Sequence, residues 1–558
     1  MAKPGTRSGT AWALGLLVIT AFAAMSAHAG ERPRTSRNSV VERALGQIRP
    51  EVIRAHMRFL ADDLLEGRGT GARGHRLATL YVATQFEGLG LEPAGDGGTY
   101  LQSMRLARAL PREAECSLIL FTDGQGRTLT YGSDFVMSVD PVGPDAALRA
   151  PVAFVGYGVT APEEHYDDYA GIDVSGKVVA YLGGTPGSFA DATGAFFGDP
   201  TLKRETAARH GAVGIVQLSL PDESSSWDAT VGDARHGVIA VADGGDTGAA
   251  SPRVPYLAHL SASGVAALFD GEPERWRGAL ADVKAGRPHS FATTRELYVQ
   301  QRTERSTLDS ANVVGVLRGS DAKLSGESVV YTAHLDHLGI GEPVGGDATY
   351  NGARDNASGV AGMLAAARAF ASLAQRPRRS ILFVATTAEE PGWLGSRYFV
   401  NHPPVPLPDI VANVNLDGLA VFWPLRDMAG WGARHSTLGA ALEEAARRVG
   451  LEATLPEKDG KVLIGFSDQA SFAQRGIPAV WLVYGDKSRD ATVDPGALEH
   501  KWARSHRPDD DMNQPFDFDS SVRLSRAAFL TGYIVANETR RPSWKKGDLF
   551  GERFGTPR

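Results

Sequence analysis

The chain has 558 residues, 43% of them hydrophobic and 22% charged, with a formal net charge of −7 and a pI near 6.1. That length holds more than one core, and the composition lies outside the disordered class. Charge runs are short and no basic stripe is interleaved with aromatics, so nucleic acid is excluded as a partner.

Lys3 and Arg7 precede an apolar stretch at 11–24 that ends in Ala27-His28-Ala29, a small-x-small pattern before Gly30. Residues 1–29 therefore read as a secretory signal peptide cleaved after Ala29, giving a secreted or periplasmic protein. The stretch falls short of the ~20 residues that span a bilayer, so no membrane anchor is expected after cleavage. The single cysteine, Cys116, can form neither an intramolecular disulfide nor a thiolate cluster and is expected to be buried and inert. Any metal must then be held by histidines and carboxylates.

Residues 30–133 form the first part of the main domain. Apolar residues recur at helical spacing over 52–65 and 77–89. Gly69-x-Gly71-x-x-Gly74 lies between them and follows a helical pattern instead of a strand, so it reads as a loop and not as a dinucleotide fingerprint. Over 134–290 the chain changes to short β-rich runs (150–155, 177–182, 213–218) with one helical stretch at 202–210. No histidines and acids cluster there at ligand spacing, and the region reads as an inserted domain.

From 291 to 540, ahead of a C-terminal extension at 541–558, strands alternate with helices. Strands fall at 328–333, 381–385, 411–416 and 479–483, and helices at 359–373 and 438–449. Strands apolar throughout predict an α/β fold with a mostly parallel sheet covered on both faces. Sites in such sheets lie beyond the carboxyl ends of the strands. His334 and Asp336, Glu389 and Glu390, and Asp417 fall at those ends; Asp355 precedes a helix, and His506 follows the last strand. Each alone has a bland explanation, as a helix cap or a structural histidine. Together these seven have the composition of a two-zinc hydrolase centre. A bridging carboxylate and further anions hold two mutually repelling cations, metal-bound water attacks a carbonyl, and a free Glu carries the proton.

These residues resemble peptidase family M28, the zinc aminopeptidases and their glutamate carboxypeptidase relatives. The motifs are Ala333-His334-Leu335-Asp336-His337, Asp355-Asn356-Ala357-Ser358-Gly359, Glu389-Glu390, Asn415-Leu416-Asp417, Ser467-Asp468 with Gly476-Ile477-Pro478, and His506-x-Pro508-x-Asp510. Phe59-Leu60-Ala61, Glu66-Gly67-Arg68 and Gly90-Leu91-Glu92-Pro93 are similar to the family's lead-in. Gly176-Lys177-Val178 and Gly211-Ala212-Val213-Gly214 make the insert resemble a protease-associated domain. The resemblance implies two Zn²⁺ per chain, bridged by Asp355, with His334 and Asp417 completing one site and Glu390 and His506 the other. It implies Glu389 as general base and Asp336 as the acid that orients His334. His337 and His500 compete for the two imidazole places, and motif order favours His334 and His506.

Two residues depart from the family pattern. Ser505 stands where many members carry an oxyanion-stabilising Tyr, leaving Tyr484, Tyr350 or the metals to serve. Gln469 stands where relatives often carry His, and is expected to be a pocket or packing residue. The implied activity is exopeptidase cleavage of peptides or small proteins, with an aminopeptidase favoured. A carboxypeptidase or dipeptidase would need a cation for the substrate carboxylate, with Arg354 the candidate. A one-zinc glutaminyl cyclase and a metal-free receptor-like protein are set aside because the ligand set is complete.

Overall fold

The computed structural model describes residues 37–220, 227–242 and 254–555, besides Met1 and Gly5. The signal peptide expected at 1–29 lies almost wholly outside the described residues. No described helix is long and apolar enough to cross a membrane.

Two sheets organise the chain. At the centre of a ten-stranded sheet are four parallel strands in the order Ser380–Thr386, Ser328–His334, Ile410–Leu416 and Ala479–Tyr484. The first three are buried at every position, as expected for central parallel strands covered on both faces. Alternate residues serve different cores. Tyr331, Ala333, Ile381 and Phe383 face helices Pro50–Leu60, Ser358–Ala371 and Phe518–Asn537, while Val330, Leu382 and Val384 face Leu394–Asn401 and Gln469–Ala473. The parallel arrangement holds for this centre. Antiparallel strands are added on either side, Thr303–Leu317 and Leu101–Pro111 on one and Asp427–Trp431 on the other.

Helix Ser358–Ala371 is buried along nearly its whole length, which its run of Ala and Gly permits. Gly359 is required there, because a Cβ would lie 2.2 Å from the Leu416 carbonyl oxygen and from Asn356 Oδ1. That close approach brings the helix start against the end of a central strand.

The second sheet has eight strands and draws them from Ser117–Thr122 through to Ser290–Gln300. This sheet thus reaches past both ends of the inserted domain expected at 134–290. In Ser290–Gln300 the inward-facing Phe291, Leu297 and Val299 are separated by polar residues, too dilute a pattern to mark the strand. Nor does the insert stand apart. Its strand Val238–Val241 pairs with Leu101–Pro111 at the edge of the first sheet, and its helix Asp191–Phe197 packs on Gly460–Gly465. The C-terminal extension is docked, with Phe550 fully buried in the core shared with Leu463 and Phe472. Cys116 is half-buried, not fully buried, and its thiol donates to the Arg302 carbonyl.

Candidate metal centre

The carboxyl ends of the parallel strands converge on one cavity of about 870 Å³. His334 is the last residue of its strand, Asp417 follows Leu416 at the end of another, and Glu389 and Glu390 lie just past Thr386. Asp355 enters from the segment ahead of helix Ser358–Ala371, and His506 from beyond helix Pro495–Trp502. Ala388, at φ 52°, and His506, at φ 63°, sit in the left-handed region that a non-glycine residue adopts only when its surroundings impose it.

Asp355 stands between two imidazoles. Its Oδ1 is 3.1 Å from His334 Nε2 and its Oδ2 is 3.3 Å from His506 Nε2. His334 Nε2 is also 3.4 Å from Asp417 Oδ1, and His506 Nε2 is 3.1 Å from Glu390 Oε2. An ion bound about 2.0–2.2 Å from tetrahedral nitrogen and oxygen ligands has ligand edges of about 3.3–3.5 Å, close to this spacing. His334, Asp355 and Asp417 form one possible metal-holding group; His337 with Asp355 and Glu390, and His334 with Glu389 and Glu390, form two more.

Electrostatics point the same way. Burial opposes charge on His334, yet Asp417, Glu389 and Asp355 hold its pKa well above the ordinary imidazole value. Burial also opposes charge on Asp355, but bonds from His334 and His506 keep its carboxyl well below the usual range. Glu389 is pushed well up by burial, with Asp417, Glu390 and Asp468 adding repulsion. Glu390 is drawn down to about 2 against burial and Asp355 by the His337 and His506 imidazoles. Buried carboxylates in this number require compensating positive charge. Two divalent cations at the imidazole-carboxylate edges would provide it with every histidine neutral, so the residues fit a two-metal centre.

The surroundings fix these side chains. Asp510 accepts from the backbone N–H of Arg354 (2.9 Å) and of Asp355 (3.1 Å), cradling the central carboxylate from behind. Ser467 donates to Asp417 Oδ2 at 2.7 Å, and Asn415 donates to both Ser467 and Gln469. His337 Nδ1 lies 2.6 Å from Glu390 Oε1, a hydrogen bond that leaves His506 at the metal-edge distance. His500 is on the exposed side of helix Pro495–Trp502, away from the cavity.

Several details differ from the sequence expectation. His334 Nδ1 bonds the main-chain carbonyl of Asp336 at 3.1 Å, not its carboxylate. The Asp336 carboxylate instead accepts from the Glu389 N–H (3.1 Å) and the Thr70 hydroxyl (2.9 Å). A strand end lets the carbonyl turn back onto the imidazole while the side chain crosses to the neighbouring loop. The glycine-rich loop is no idle connection either. Arg68, fully buried, donates to the carbonyls of Leu335, Leu60, Asn351 and Gly352 and stitches together the segments that carry His334 and Asp355. The one signal for it was a charged residue between glycines, which sequence alone cannot separate from a solvated loop. Tyr350 donates to the Glu342 carbonyl and does not line the cavity, whereas Tyr484 and Ser505 do. Gln469 is fully buried and packs between Asn415 and the Val462 carbonyl.

Among the described cavity residues, Arg354 is the only Lys or Arg, and it is engaged: its guanidinium pairs with Glu499 at 2.6 Å and lies over the rings of Tyr484 and Phe422. Tyr484 also donates to Glu499, whose second oxygen has no partner. The opposite wall is aromatic, with Trp393, Trp431, Phe466 and Trp481.

Residues 312–530 match the profile of peptidase family M28. Aminopeptidase YwaD of Bacillus subtilis (strain 168) is 27% identical over 236 residues, which cover 42% of this chain and 45% of that protein. The match thus spans a little under half the length of this curated relative. Among solved structures, the aminopeptidase from Aneurinibacillus sp. strain AM-1 aligns with a TM-score of 0.50 and 19% identity, covering 90% of this chain and 97% of that one. A zinc aminopeptidase from Bacillus subtilis aligns at 0.44 with 18% identity, covering 88% and 97%. The likeness to the Aneurinibacillus protein establishes a shared fold.

Proposed function

We propose that the protein, whose residues 312–530 match the profile of peptidase family M28, is an exported two-zinc aminopeptidase that removes N-terminal residues from peptides. His334, Asp355 and Asp417 would hold one ion, and Asp355, Glu390 and His506 the other. Two zinc ions there would supply the positive charge that ionises water near neutral pH and polarises the scissile carbonyl. Imidazole and carboxylate donors without thiolate suit zinc in an open, catalytic site.

Glu389 gathers with His334 and Glu390 and is held by the Asp336 carboxylate through its backbone N–H. In this reading it takes the proton of the attacking water and delivers it to the leaving amine, so that the C–N bond breaks as the amine becomes neutral. Asp336 acts through Glu389 by fixing its backbone. Tyr484 and Ser505 are the hydroxyls that line the cavity, and Tyr484 would have to leave Glu499 to donate to a developing oxyanion.

The observation that carries the choice of aminopeptidase is the charge of the cavity wall. A carboxypeptidase needs a free cation for the substrate carboxylate, and Arg354 is already paired with Glu499 and covered by aromatic rings. An ammonium group meets a cavity lined by Glu389, Glu390, Asp417 and Glu499 instead. Export rests on the N-terminal pattern that ends at Ala29.

The test is metal analysis of the mature protein together with hydrolysis of free and N-blocked peptides. About two zincs per chain and cleavage only when the amine is free are expected. Cleavage of blocked peptides from the carboxyl end would overturn the aminopeptidase reading. Glu389→Gln should lower kcat by about 10²–10⁴-fold with zinc retained.

A further inference from the structure

The aromatic wall of the cavity hangs on a weak element. Helix Gly460–Gly465 supplies Val462 and leads into Phe466, which is 60% exposed and stacks on Trp481 at 5.4 Å, with Trp431 beyond. Six residues cannot hold a helix by themselves. From inside the domain, Gln469 donates to the Val462 carbonyl at 2.6 Å. Asp459 at the helix start binds Gly432 N–H and the His435 imidazole.

The third hold comes from the insert. The Asp191 carboxylate accepts from Gly460 N–H at 2.5 Å, and Ala195 enters the core that contains Leu463, Ile464 and Phe472. The contact is too close for any side chain at Gly460, where a Cβ would lie 2.7 Å from Ala192 Cα and 2.9 Å from Asp191 Oδ2. A second attachment flanks it: Arg553 pairs with Glu163 and lies over Phe196, which meets Phe554 at 5.8 Å.

We propose that the insert helix Asp191–Phe197 is a specificity brace, with Asp191 the positioning residue that sets where Val462 and Phe466 stand and so favours peptides whose N-terminal side chain is large and apolar. This rests on the aminopeptidase reading. Val462 and Phe466 line the same cavity as the acids that receive the ammonium group, and neither is a metal donor. Moving the wall therefore acts first on side-chain fit, and it reaches the metal donors only through the Ser467 and Trp481 hydrogen bonds to Asp417. The insert acts by shaping the pocket, and not by standing across its mouth.

The experiment uses the full-length, zinc-loaded protein. Asp191→Ala and Gly460→Val are compared with wild type on free-amine leucyl, phenylalanyl and alanyl 4-nitroanilides, and hydrogen exchange is followed over 460–466. Both substitutions should raise KM for the leucyl and phenylalanyl substrates about fivefold, the scale of one hydrogen bond. The alanyl substrate should stay within about twofold, and amides 461–466 should exchange faster. Asp191→Asn keeps an acceptor and should restore both readouts. Unchanged protection of 461–466 in Asp191→Ala overturns the brace whatever the enzyme cleaves. Equal losses on all three substrates overturn the specificity role. Failure of the wild type on every free-amine substrate, with exchange still accelerated in Asp191→Ala, overturns the aminopeptidase reading and the specificity role while leaving the brace itself in place.

Discussion

Both sheets are built on four consecutive parallel strands, yet their carboxyl ends are put to opposite uses. In the first sheet those ends release His334, Glu389, Glu390 and Asp417 toward a shared space where Asp355 and His506 join them. In the insert the parallel strands Ala147–Val155, Val178–Leu182, Gly214–Leu218 and Tyr256–Leu260 also end together, but among the described residues the buried Lys203 and Asp168 there are spent on nearby backbone and side-chain groups. Lys203 donates to the Leu182 and Gly184 carbonyls, and Asp168 accepts from the N–H groups of Tyr157 and Val159 and from the Tyr166 hydroxyl. The topology provides a place for a site in both sheets. Whether the place becomes one depends on acids and imidazoles brought within ligand distance of one another, as they are around Asp355.

The comparison breaks most sharply at Asp355. Asp355→Asn removes the carboxylate between the two groups and should cost both zincs and at least about a thousandfold in kcat/KM, since metal stabilisation of the transition state amounts to several kcal/mol. Metal analysis and steady-state kinetics check this; retention of two zincs would mean that Asp355 does not bridge. Next in size is Asp336→Ala, expected to lower kcat by about 10–100-fold, the usual cost of losing a partner that orients a site residue. Because its carboxylate holds Glu389 and not the His334 ring, zinc affinity should change little. A fall in zinc affinity matching the fall in kcat would place its action on His334.

The parallel centre was legible because its strands are apolar throughout, and His334, Glu389, Glu390 and Asp417 stood out as candidates because they follow those strands. What sequence could not reveal was the work of groups that bond backbone. Arg68, Asp510 and the Asp336 carboxylate act on N–H and carbonyl groups whose direction is set only by the folded loops. The insert's edges were hidden for a related reason. Ser290–Gln300 shows only a few inward apolar residues, and Val238–Val241 carries no mark of pairing with a strand about 130 positions earlier.

A smaller effect separates the pocket wall from the metal site. His435 lies 2.9 Å from Asp459 and 2.5 Å from Asp548, linking the wall to the C-terminal helix. Burial opposes its charge, but the two carboxylates outweigh burial and raise its pKa to about 9. A raised imidazole pKa stabilises the fold fully below the unfolded value of about 6.5, and the contribution is lost as pH rises through about 9. His435→Gln should therefore cost about 1.5–3 kcal/mol at pH 6 and far less at pH 10, as read by urea denaturation at both values. An equal cost at the two pH values would show that the imidazole is held neutral.

The smallest effect tests the insert's half of the comparison. Lys203 is buried, and burial draws its ammonium down to about 7 against the pull of Asp168 and Asp199. Lys203→Met removes a desolvated charge, which favours the fold, and leaves the Leu182 and Gly184 carbonyls without their donor, which opposes it. The two changes are of similar size and opposite sign, so the net shift in stability should be about 1 kcal/mol or less by urea denaturation. The kcat/KM ratio for leucyl over alanyl substrates should not move, because Lys203 touches neither the brace at Asp191 nor the cavity. A change in that ratio would mean that the insert's own loop network reaches the pocket, and the division between a sheet that spends its charges inward and one that turns them on substrate would fail.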